Sequence, residues 1–133
     1  MPRPTSVTIL ALAVLCIAAY HALGAVAAIQ GYTVLQQLPL ALPPAYLLGR
    51  GVVWALAFAA LAAGLWWTKH WARLGTPTAL SVYVAAGWVE RLIFAQSDYA
   101  QVSAPCFALL QAMALAVVWG LLLRRRTRQS FTE

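Results

Sequence analysis

The residues able to do chemistry in this chain are few, and most lie in apolar surroundings. Three acids and two histidines stand against nine lysines and arginines in 133 residues. Five polar side chains interrupt long apolar runs: His21, Arg50, Glu90, Arg91 and Gln111. Glu90 and His21 are an acid and a base, the pair that a proton relay needs. Arg50 and Arg91 are cations that suit Glu90, and Gln111 both donates and accepts. A charged side chain at the centre of a spanning helix costs about 2.5–3.5 kcal/mol on insertion scales. Such residues therefore mark a polar pocket or a packing device. In the first reading they form a pocket open to the outside, for a ligand or a proton relay. In the second, Arg50 and Arg91 reach up to the interface, Glu90 follows as counter-ion, and the cluster fixes helix packing. The packing reading is preferred.

No complete catalytic or metal motif accompanies the cluster. There is no CxxC and no Cys/His grouping at metal-ligand spacing. Cys16 and Cys106 read as small buried apolar residues at different depths. A membrane haem would lack a second histidine, because His70 lies between apolar runs. No cofactor is expected, and no enzyme.

The elements that hold these residues must be membrane helices. The chain is 63% hydrophobic and 9% charged, where a soluble domain carries about 25% charged residues. A small domain cannot hide that much apolar surface from water. Spanning helices need about 20 apolar residues, and four runs qualify: 6–29 (continuing, in one alternative, to 37), 45–67, 78–95 and 104–123. The third is the weakest, since it contains Ser81, Glu90 and Arg91. No run alternates with period two, which excludes strands. The first run is too long for a signal peptide and is expected to stay uncleaved. Segment 30–44 either extends the first helix or lies in the interface, and Pro43-Pro44 suits the start of the second. Segments 68–77 and 96–103 read as short connections.

Positive charge sets the orientation. Arg3, Lys69, Arg73, Arg124, Arg125, Arg126 and Arg128 fall on one side of a four-span chain, so both termini are expected in the cytoplasm. The Arg124–Arg128 cluster is expected to contact anionic lipid head groups. The net charge of +6 is thereby explained without nucleic acid. Trp66, Trp67 and Trp71 form an inner aromatic belt, and Tyr32, Tyr46 and Tyr99 an outer one. At a rise of 1.5 Å per residue, His21 lies about 22 Å from the inner side, Glu90 about 18 Å, and Arg50 and Gln111 about 8 and 10 Å below the outer side. The expected fold is an all-α, single-domain, four-transmembrane-helix antiparallel bundle spanning residues 1–133.

Small residues recur every four positions: Gly51, Ala55, Ala59 and Ala63, then Ala104, Ala108, Ala112, Ala116 and Gly120. Such stripes let backbones approach in lipid, within the bundle or in a homo-oligomer. Several motifs together resemble a group of small bacterial four-helix membrane proteins without an assigned activity. They are Gln37-Leu38-Pro39, Gly64-Leu65-Trp66-Trp67 with Lys69 and Trp71-Ala72, Glu90-Arg91 followed by Ala95-Gln96-Ser97, and Trp119 with Arg124–Arg128 and Phe131. The resemblance implies a bacterial inner membrane and supplies no activity. The expectation is a structural or accessory protein of a membrane complex. The alternative is a small-solute or ion transporter subunit using the polar pocket.

Overall fold

The computed structural model describes residues 4–39, 42–94, 98–124, 127, 129 and 131, with backbone alone for 98–101. Ala95-Gln96-Ser97, Arg125, Arg126 and Arg128, and the side chains of Asp98 and Tyr99, lie outside the described residues. The chain is all-helical: α1 (Thr5–Gln30), α2 (Tyr32–Gln37), α3 (Pro44–Trp66), α4 (His70–Phe94) and α5 (Asp98–Leu123). Three segments, Thr5–Gln30, Pro44–Trp66 and Val102–Leu123, are long and apolar enough to cross a membrane. By length and composition they mark a membrane protein. Helix α4, at 25 residues, is long enough but too polar to qualify on composition.

The helix ends follow local chemistry. Gly31 breaks α1 from α2, yet its N–H still bonds Ala27 O at 2.9 Å and its carbonyl accepts from Leu35 at 2.8 Å. The first helix therefore pauses rather than stops, near the longer of the two expected forms. Pro44 opens α3 at a position where no N–H is needed. Its far end closes in a Schellman motif: Lys69 N–H bonds Gly64 O at 2.8 Å and Thr68 N–H bonds Leu65 O at 3.1 Å. Thr68 takes the left-handed position, φ 51°, that glycine usually fills.

This tight turn overturns the expected connection over 68–77. The chain is helical again from His70, and α4 runs through Pro77 without ending. Proline removes the hydrogen bond to the carbonyl four residues back, that of Arg73, and hydroxyls bond two other carbonyls nearby. Thr78 Oγ donates to Leu74 O at 2.7 Å, and Ser81 Oγ to Pro77 O at 2.8 Å. Likewise 98–103 belongs to α5, with Pro105 inside it.

The tightest packing joins α1 to α3. All the buried residues of α1 except Leu10 are spaced as a heptad seam: Val7, Ala11, Val14, Ala18, His21, Ala25 and Ala28. Gly51 allows the closest approach, since a Cβ there would lie 3.3 Å from both Ala25 Cβ and His21 O. Helix α3 buries Gly51, Phe58, Leu61, Ala62, Gly64 and Leu65. Of the four-residue stripe expected on this helix, Gly51 lies in the contact, Ala55 and Ala63 are half-buried, and Ala59 is exposed. Four residues turn a helix about 40° beyond one full turn, so a strict period of four drifts off a straight seam. On α5 the same happens: Ala108, Ala112, Ala116 and Gly120 face outward. Cys16 and Cys106 are also exposed, on apolar outer faces rather than buried.

Helix α4 packs on α3 and on α5, while α5 barely touches α1. One apolar cluster gathers Val7, Leu10, Phe58, Leu65, Ala72, Leu122 and Phe131. It unites the start of α1, the end of α3, the start of α4 and the end of α5. Successive long helices thus run in opposite directions, and Val7 and Phe131 lie at the same end of the molecule.

Candidate functional site

Helix α4 presents Tyr83, Gly87 and Glu90 within two turns of one side, because spacings of three and four residues share a helix face. On α3, Tyr46 and Arg50 stand one turn apart and reach the same carboxylate. Arg50 Nη1 lies 2.7 Å from Glu90 Oε2, and Tyr46 Oη donates to Glu90 Oε1 at 2.7 Å. Both oxygens of Glu90 are engaged. The pair is largely enclosed, with Arg50 and Glu90 side chains 28% and 15% exposed. Of the two arginines suited to Glu90, the distant Arg50 makes the ion pair. Its sequence neighbour Arg91 turns away, as adjacent residues on a helix must.

Arg91 instead donates to Ser103 Oγ on α5 at 2.8 Å. Its guanidinium carbon sits 5.6 Å from the Trp88 ring and 5.2 Å from the Phe107 ring, within cation–π range. Gln111 Oε1 accepts from Trp88 Nε1 at 2.6 Å. His21, 7% exposed on α1, places Nε2 3.1 Å from Tyr83 Oη. Its ring lies among Tyr20, Phe58 and Tyr83, and Trp54 stacks behind Phe58 and meets Tyr83 edge-on.

The five residues expected to form one layer thus divide into three small groups. Glu90 joins Arg50, His21 joins Tyr83, and Gln111 and Arg91 each bond to a different residue of the α4–α5 contact. Tyr46, Tyr83, Trp88 and Ser103 were missed as members. Tyr46 carried a signal, its four-residue spacing from Arg50, but its outer position suggested an interface anchor. Tyr83 carried one too, seven residues before Glu90.

Every hydrogen bond or ion pair described above between side chains of different helices has one end on α4. Trp119 Nε1 on α5, 3.4 Å from Ser81 Oγ, follows the same rule. The helix with the least apolar surface is thus the one held by polar bonds. Among the described residues no group of three or more His, Cys, Asp or Glu could hold a metal ion, and His21 contacts no Ser or Cys nucleophile.

Two spaces adjoin these groups, and a third lies apart from them. A cavity of about 190 Å³ lies between α3, α4 and α5, walled by Arg50, Tyr83, Gly87, Trp88, Arg91 and Gln111. It touches the ion pair through Arg50, and Glu90 is not in its wall. A broader groove of about 790 Å³ runs between α1, α2 and α3, with His21, Arg50 and Tyr83 at its polar end. A third space, about 380 Å³, lies at the opposite end and is walled by alanines, Leu12, Leu15, Trp66 and Trp67. No protein-family model, curated protein or solved structure matches the chain.

Proposed function

We propose that this chain is a non-catalytic integral membrane protein, a structural or accessory component of a membrane complex. It crosses the bilayer four times with both termini in the cytoplasm of a bacterial inner membrane. One observation carries the reading: the polar side chains inside the apolar region are spent on fastening α4 to α1, α3 and α5. Polar bonds between helices are worth about 0.6–2 kcal/mol each in lipid, and several together offset the polarity of α4. At 25 residues and a length of about 37 Å, α4 is long enough to be the fourth span. The shared end of Val7 and Phe131 supports an even number of crossings. Lys69 and Arg124 flank helix ends at that same end and Arg73 lies in the first turn of α4, which suits the cytoplasmic side. There Arg124 is exposed and placed for anionic head groups, a role that extends to Arg125, Arg126 and Arg128.

The outer face of α5 supports a partner. Only 6% of its apolar window is buried within the chain, against 33% for α1. Crosslinking in native membranes tests this. Ala112→Cys and Ala116→Cys are expected to give one discrete adduct, with a second copy or another membrane protein. If neither position yields a protein adduct, the accessory reading fails.

The cavity beside Arg50 favours a second reading, a small-solute transporter subunit. It would require flux through proteoliposomes that Glu90→Gln alters. The apolar third space opposes it, because its alanine, leucine and tryptophan walls offer a solute no charged side chain.

A further inference from the structure

Gly87 sits mid-helix in α4, where glycine costs about 1 kcal/mol relative to alanine. Glycines in membrane helices usually permit close backbone approach, as Gly51 and Gly64 do here. Gly87 does not. A Cβ placed on it would meet nothing within 4 Å. It borders the 190 Å³ cavity, which a side chain at this position would enter.

The cavity wall is rich in donors. Arg50 and Arg91 both border it. Arg50 Nε is buried and has no hydrogen-bond partner. Gln111, whose carbonyl oxygen accepts from Trp88 Nε1, also borders the cavity and carries an amide NH2 able to donate. Among the described residues no carboxylate borders it. Two guanidiniums and an amide NH2 match a ligand with two or more acceptor oxygens, because the planar guanidinium fork suits carboxylate and phosphate. A space of 190 Å³ equals about six waters at ~30 Å³ each, room for a small organic acid or a phosphate group.

We propose that the cavity between Arg50, Gly87, Arg91 and Gln111 is a binding site for an oxyanion, either a small free carboxylate or phosphate or the phosphate of a lipid head group. The inference goes beyond the fastening role, since the bonds that hold α4 remain in place around an occupied cavity.

Thermal unfolding of the full chain tests it. Purified protein is placed in maltoside micelles, which carry no phosphate, with sodium phosphate, sodium acetate, or sodium chloride at matched ionic strength. A further sample adds phosphatidylglycerol to the micelles. A rise in Tm with phosphate or acetate, absent with chloride, assigns a free oxyanion. A rise with phosphatidylglycerol alone assigns the head group. Gly87→Leu projects into the cavity from a position where a Cβ meets nothing within 4 Å, so it is expected to abolish the rise and weaken apparent affinity at least about tenfold, 1.4 kcal/mol. Should Gly87→Leu not fold, Gly87→Ala decides by the same readout. The proposal is overturned if no oxyanion raises Tm, if chloride raises it equally, or if the folded Gly87 variant responds as the wild type does. None of these outcomes bears on crosslinking from α5, so the two ideas fail separately.

Discussion

Glu90 receives both of its bonds from one neighbouring helix, Arg50 from one turn and Tyr46 from the turn before it. Loss of the carboxylate therefore strands two groups. Glu90→Gln is expected to lower stability by about 1–3 kcal/mol, below the range for a fully enclosed ion pair because both side chains retain some exposure. The double variant Arg50→Gln/Glu90→Gln is expected to lose less than the sum of the single losses. Unfolding midpoints in mixed micelles measure the cycle, and strict additivity would show that the pair is not coupled. Thr68 offers the opposite sign. An L-residue in the left-handed region costs about 1–2 kcal/mol, while glycine adds backbone freedom to the unfolded chain. Thr68→Gly is expected to raise stability by about 0.5–1 kcal/mol, and a lower midpoint would refute the strain. At this scale the charged partners were legible, because an acid in an apolar run demands a cation. The tyrosines were not, since a phenol at a helix end serves an interface equally well.

Helices α1 and α3 are joined by shape, and α4 by hydrogen bonds. The seam is sensitive to size on one face only. Ala62 is buried and Ala59, nearly a full turn earlier, is exposed. Ala62→Leu is expected to cost about 1–3 kcal/mol by overpacking, and Ala59→Leu to be close to neutral. Equal effects, read from the same unfolding midpoints, would place the seam elsewhere. Apolar run lengths revealed the three apolar helices, and Pro44 the start of α3. The seam was harder to see, because a chain this rich in alanine offers stripes of period four and of period three and a half together. Only the backbone approach at Gly51 selects between them. The start of α4 was hidden for another reason. Pro77 and the basic residues before it read as a loop, whereas Thr78 and Ser81 supply hydroxyls to the carbonyls around the proline.

For the molecule as a whole, the antiparallel course places the start of α1 and Phe131 in one cluster. Side assignment follows from charge and is directly measurable. In a cysteine-free background, Leu38→Cys is expected to react with a membrane-impermeant maleimide on whole cells. Lys69→Cys is expected to react only after the membrane is opened. The reverse pattern would invert the topology. Opposed helices were legible from alternating apolar runs and short connections. The uneven packing was not. A count of four apolar runs suggested an antiparallel bundle but not how evenly it packs, and α5 contacts α4 and leaves its other face uncovered. Apolar composition alone does not distinguish a face that meets another helix from one that meets lipid.

The dependence of α4 on its neighbours acquires a direction once synthesis is considered. The ribosome makes His21, Tyr46 and Arg50 before Tyr83 and Glu90, and makes Ser103, Gln111 and Trp119 afterwards. When α4 emerges, the partners for its upstream bonds have already been made. The partners for its remaining bonds do not yet exist. The ion pair and the Tyr83 contact are thus the first anchors open to a helix too polar to settle alone, and α5 arrives to lock a segment that α1 and α3 have already received.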